Sequence, residues 1–196
     1  MKMLCLGDSN TYGYDPRSYF GGRYAPENRW TDILQEMLGW EIINAGENGR
    51  RIPVSEREYL LIEELLEKHQ QVDLVAIMLG TNDLLEKLPV ESILERMEVF
   101  LKRLDPALNR IILIAPPSLK LGEWVPDHSF VQASEDLISG YQNLAEHLGV
   151  NFVAAEEWNI SLTFDGVHFA PEGHSAFAEG LYYFIKRRMC LCWKLE

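Results

Sequence analysis

Five short apolar runs punctuate the chain at 2–6, 40–44, 72–79, 110–115 and 150–154. The run at 72–79 is apolar on both faces after Asp73. Such runs predict strands buried on both sides, as in a parallel sheet. Between them, leucines and isoleucines recur at three- and four-residue spacing, and segments 30–38, 55–69, 90–104, 131–148 and 172–189 read as amphipathic helices. Strand alternating with helix implies right-handed crossovers and a doubly wound α/β sandwich. We read residues 1–196 as a single domain. A sheet of this kind binds ligands outside the carboxyl ends of its strands, so the unusual residues should follow the apolar runs.

They do. Gly7-Asp8-Ser9-Asn10 follows the first run, and Asn44-Ala45-Gly46-Glu47-Asn48-Gly49 the second. Gly80-Thr81-Asn82-Asp83 follows the third and Pro116-Pro117 the fourth; Asp165-Gly166-Val167-His168 lies in the loop after the fifth. Segment 11–29 has aromatic, glycine, arginine and proline residues without a period. It reads as a long functional loop on the same face.

Composition narrows the partners. The 196 residues are 47% hydrophobic and 24% charged, which suits one globular core. A net charge of -12 repels phosphate backbones and anionic lipid, so neither nucleic acid nor membrane is an expected partner. Of the three cysteines, Cys5 lies in an apolar run, and Cys190 and Cys192 are too close in sequence to pair well. A reducing compartment fits. No run nears the roughly 18 apolar residues of a bilayer span. Met1 precedes the first glycine turn so closely that no signal peptide is expected, and the predicted location is cytoplasmic.

Singly, the strand-end residues have ordinary readings. Ser9 and Asp8 suit a helix start, Asn82 and Asp83 an Asx turn, and Asp165 a local cap. Jointly they supply what acyl transfer needs: a nucleophile, a base, an acid that orients it, and oxyanion donors. An aspartate three residues before a histidine can reach Nδ1 and leave Nε2 for the serine.

The blocks Gly7-Asp8-Ser9, Gly49, Gly80-x-Asn82-Asp83 and Asp165-x-x-His168 resemble, in order and spacing, those of the SGNH (GDSL-like) hydrolase superfamily. Segments 7–16 and 44–50 look like its arylesterase- and acyltransferase-like branch. The resemblance implies a flavodoxin-like three-layer α/β/α sandwich with a five-stranded parallel sheet. It implies Ser9 as nucleophile, His168 as base and Asp165 as its orienting acid. The oxyanion donors would be the N–H groups of Ser9 and Gly49 and the side chain of Asn82. Gly46 competes with Gly49 for that role; alignment on the strand end favours Gly49. Asn10 stands where many members carry leucine.

The expected activity is therefore a serine esterase acting on short-chain acyl esters, without cofactor or metal. Carbohydrate and aryl ester deacetylation, thioester hydrolysis and acyl transfer all remain open as the reaction. Asp8, Tyr12, Trp124, Phe130 and Phe169 are candidate substrate-binding residues, and His128 shares the loop of Trp124 and Phe130. His174 reads as structural at a helix start. Two rivals stand beside this reading. Asp8, Asp83, Asp165, His168 and His174 could form a metal site for phosphoester hydrolysis, or the chain could be a silent binding module. The aromatics Tyr12, Tyr14, Tyr19, Phe20 and Tyr24, with Trp124 and Phe130, exceed what a small monomer exposes on two loops, and predict a homo-oligomer joined near the site.

Overall fold

In a computed structural model, described over residues 1–18, 20–69, 72–104 and 110–192 (side chains through 187), the five runs form one parallel sheet in the order β2-β1-β3-β4-β5. The strands are β1 (Lys2–Gly7), β2 (Glu41–Gly46), β3 (Leu74–Met78), β4 (Ile111–Ala115) and β5 (Asn151–Ala154). Expectations placed on Tyr19 and on the side chains of Cys190 and Cys192 lie outside the described residues. The register pairs Leu4 with Ile43 on one side and with Val75 on the other, so β1 lies centrally at the switch point of the winding.

Period-two alternation divides the apolar residues between the faces. Leu4, Leu6, Ile77 and Leu113 join one core, under α3 (Glu56–Lys68), α5 (Val90–Arg103) and α6 (His128–Leu148). Met3, Cys5, Ala76, Met78, Ile112 and Ile114 join the other, under α2 (Trp30–Leu38) and α7 (Pro171–Cys192). Burial pushes the Cys5 thiol pKa far up, so it acts as a small apolar residue. Local signals set the helix ends. Ser55 and Glu58 form a capping box at the start of α3, and Gly39 and Gly149 close α2 and α6 in the left-handed region.

Two short helices escape the periodic pattern. These are α1 (Ser9–Tyr12) and α4 (Thr81–Leu85), each directly after a central strand. The described residues of segment 11–29 are otherwise irregular, as expected, with one antiparallel bridge between Tyr14 and Arg23 and a 3-10 turn at Pro26–Asn28. No helix among the described residues is long and apolar enough to cross a membrane.

Candidate active site

The site is assembled where β1, β2 and β3 end. Asp8 caps α1 by accepting from the Asn10 N–H at 2.9 Å, and so turns the chain to present Ser9 as the first helical residue. Burial raises the Asp8 carboxyl pKa to about 6, against the lowering effect of the Asn10 N–H, the charge of His168 and the Thr81 hydroxyl. Asp8, named among the candidate substrate-binding residues, is 1% exposed and serves as the buried cap of α1.

His168 is delivered from the far end of the chain. A tight hairpin bridges Leu162 to Phe169, and the Thr163 N–H donates to the His168 carbonyl at 2.7 Å. Gly166 makes the turn with φ +80°, and a Cβ there would meet the Lys120 carbonyl oxygen at 1.9 Å. Within this hairpin Asp165 lies 2.7 Å from His168 Nδ1, and His168 Nε2 lies 3.0 Å from Ser9 Oγ. The other Asp165 oxygen accepts from the N–H groups of Val167 and His168 and from the Thr163 hydroxyl. Burial works to raise the Asp165 pKa, but the His168 ring and these N–H donors outweigh it and hold the carboxyl at about 2. Asp165 is thus ionised at any ordinary pH, in the position that orients the imidazole. Ser9, Asp165 and His168, expected together, are brought together.

The second block distinguishes its two glycines. The Gly46 N–H donates to Asn44 Oδ1 at 3.0 Å, and a Cβ on Gly46 would lie 2.1 Å from the Tyr12 nitrogen. Gly46 is therefore a packing glycine beneath α1. Gly49 has φ +75°, open space about it, and no acceptor for its N–H among the described residues. Asn82 is half-buried on α4; one hydrogen of its Nδ2 goes to the Arg50 carbonyl at 2.9 Å, which leaves the other. Asp83 is fully buried, accepting from the Ile52 N–H at 3.1 Å and pairing with Arg96 at 3.0 Å.

The aromatic candidates divide. Trp124, 48% exposed, sets its edge against His168 with ring centroids 5.0 Å apart. Phe169 is fully buried against Phe177 in the second core, and Phe130 is buried in the first, with Lys87 over its ring. Both pack into the core rather than standing exposed at the site. The Tyr12 ring is covered by Arg23, and Tyr14 instead meets His168, with centroids 4.8 Å apart. In sequence Tyr14 belongs only to an aromatic-rich loop. Its one distinguishing signal was its position just past the glycine that ends α1. His128 is exposed at the first position of α6. His174 is buried, its Nδ1 accepting from the Trp30 N–H at 3.4 Å; burial, with the charges of His168 and Arg29, lowers its pKa to about 3. It is structural, as expected. No three His, Cys, Asp or Glu residues among those described are grouped to hold a metal ion.

A cavity of about 280 Å³ borders Gly49, walled by Leu61, Ile62 and Leu65 of α3. A larger one, about 510 Å³, lies at the β5 edge beside Trp158 and Tyr183 and touches none of the site residues.

The model of the GDSL-like Lipase/Acylhydrolase family matches residues 5–176. A carbohydrate acetylesterase from Sinorhizobium meliloti has a solved structure that superposes with a TM-score of 0.80 at 26% identity, over 95% of this chain and 98% of its own. The aryl esterase of M. smegmatis superposes with a TM-score of 0.80 at 26% identity, over 95% and 98%. A lipase/acylhydrolase from Enterococcus faecalis shares the fold, with a TM-score of 0.74 at 22% identity over 95% and 96%. No curated protein matches the chain.

Proposed function

The chain belongs to the GDSL-like lipase/acylhydrolase family and is a serine esterase; on that premise we propose that it hydrolyses short-chain, acetyl-like esters through an acyl-enzyme on Ser9. The observation that carries this reading is the line of contacts Asp165–His168–Ser9, at 2.7 and 3.0 Å. Ser9 Oγ attacks the ester carbonyl while His168 Nε2 takes its proton. Asp165 holds the ring and stabilises the imidazolium that forms. The tetrahedral oxyanion accepts from the N–H groups of Ser9 and Gly49 and from the free Asn82 hydrogen. His168 then protonates the leaving alcohol, and water reverses the sequence to release the acid.

The leaving alcohol lies on the His168 side, between Tyr14 and Trp124, because His168 must reach its oxygen. The acyl group lies toward the oxyanion donors, where a cavity of about 280 Å³ borders Gly49. The two rings support a flat alcohol, such as an aryl group or a sugar ring, and the acetylesterase relative supports a short acyl group. The Sinorhizobium and M. smegmatis relatives carry those two chemistries in their names. A panel of p-nitrophenyl esters from acetyl to octanoyl, with acetylated sugars, tests it. Highest kcat/KM for acetyl or butyryl esters is expected. Highest activity on octanoyl esters, or none on any ester, contradicts the reading.

A further inference from the structure

Gly49 stands in open space, so packing at that residue does not fix its N–H. The next residue supplies what holds it. Arg50 is largely buried, its side chain 20% exposed, and it points back beneath the loop rather than into solvent. Its Nη1 donates to the Gly7 carbonyl at 3.1 Å and also to the Ala45 carbonyl, the ends of β1 and β2. Its Nη2 pairs with Glu47 at 2.7 Å. Its own carbonyl takes one hydrogen of Asn82 Nδ2. Gly7 leads through Asp8 to Ser9. One residue therefore joins all three segments from which oxyanion donors would come.

We infer that Arg50 is a positioning residue for the oxyanion site, its guanidinium tying the Gly49 loop to the ends of β1 and β2 while its carbonyl aims Asn82. The inference rests on the esterase reading above. The physical reason for an arginine is its planar fork, which reaches two carbonyls and a carboxylate at once. A lysine supplies the same charge as a single point. Coulombic attraction to substrate is not the role, because the guanidinium is turned toward backbone carbonyls.

Oxyanion donors act mainly on the transition state, so their misplacement lowers kcat and leaves KM nearly unchanged. The test is Arg50→Lys and Arg50→Ala, assayed with p-nitrophenyl acetate beside Arg51→Ala, which removes the adjacent exposed guanidinium paired with Glu86. Arg50→Lys is expected to lose on the order of 10²-fold in kcat, the scale of one lost donor. Its KM should move less than about threefold, since ground-state binding is untouched. Arg51→Ala should stay within about twofold, as an exposed ion pair contributes little. Guanidinium chloride at millimolar concentration should restore part of the kcat of Arg50→Ala but not of Arg50→Lys. Full kcat in a folded Arg50→Lys, or a change confined to KM, overturns the inference. Amide hydrogen exchange at residues 47–50 gives a readout independent of turnover: it should quicken in Arg50→Lys. If the wild type cleaves no ester, the esterase reading fails by that result, and unchanged exchange in Arg50→Lys then overturns the loop-tethering claim separately.

Discussion

Asn10 donates its side-chain amide to the carbonyl of Val167 at 3.1 Å, joining the residue after the nucleophile to the residue before the base across 157 positions of sequence. Its Oδ1 accepts from the Phe169 N–H at 2.8 Å, so one side chain grips the backbone on both sides of His168. The separation of Ser9 and His168 thus depends on a bond pattern that leucine cannot make. Asn10→Ala should lower stability by about 1 to 3 kcal/mol, the cost of leaving buried polar groups unpaired. It should also lower kcat more than it raises KM. Urea unfolding with steady-state kinetics checks both, and a stable variant with full kcat would show that the grip is dispensable.

The two buried acids of the site should bear oppositely on stability. Asp8 has a folded pKa of about 6 against an ordinary 3.8. Its ionised form is disfavoured in the fold, so stability falls as pH rises from about 4 to 6 and the cost is complete above that. Asp165, held at about 2, contributes stability above its ordinary value that is lost as pH falls toward 2. Asn also caps helices well. Asp8→Asn should therefore raise stability at pH 8 by on the order of 2 to 3 kcal/mol at most, with the gain gone near pH 4. Thermal melts at the two pH values decide it; an equal shift at both would refute the linkage.

Asn82→Ala should lower kcat by on the order of 10² to 10³ with little change in KM, because the oxyanion carries its charge only near the transition state. Steady-state kinetics on a short aryl ester measures this. A pure KM effect would assign Asn82 to substrate holding or to the turn that starts α4.

Four exposed apolar side chains lie on loops at the site face: Phe20 at 98%, with Leu121, Trp124 and Phe164 each about half exposed. The loops of the last three are joined, since the Trp124 N–H donates to the Asp165 carbonyl and the Glu123 N–H to that of Phe164. We propose that this face is covered by another copy of the chain. Light scattering should give a mass above 22.6 kDa, and Phe164→Ser should lower it. A monomer at every concentration would return these side chains to substrate binding.

The sheet was legible because a strand buried on both faces writes its apolar residues as an unbroken run, and all five runs became strands with ends moved by two residues or fewer. The short helices α1 and α4 were not legible, since four or five residues carry no period. Ser9, Asp165 and His168 could be read because their spacing resembles a family pattern. Phe130 and Phe169 could not be placed, as a phenylalanine beside a site residue suits core and pocket equally. Alignment on the strand end favoured Gly49 over Gly46, and the location of their N–H groups gives the physical reason. The bracing by Asn10 and Arg50 joins segments far apart in sequence, and no local signal marks it.

The proposed mechanism makes Ser9, activated by His168, the nucleophile. Treatment with a fluorophosphonate, followed by intact-mass measurement and peptide mapping of wild type, Ser9→Ala and His168→Ala, tests it most directly. One adduct per chain on Ser9 is expected in the wild type, none in Ser9→Ala, and labelling slowed by several powers of ten in His168→Ala. A folded Ser9→Ala protein that still takes up the reagent at one site, or a wild type labelled elsewhere with Ser9 untouched, would rule out Ser9 as the nucleophile.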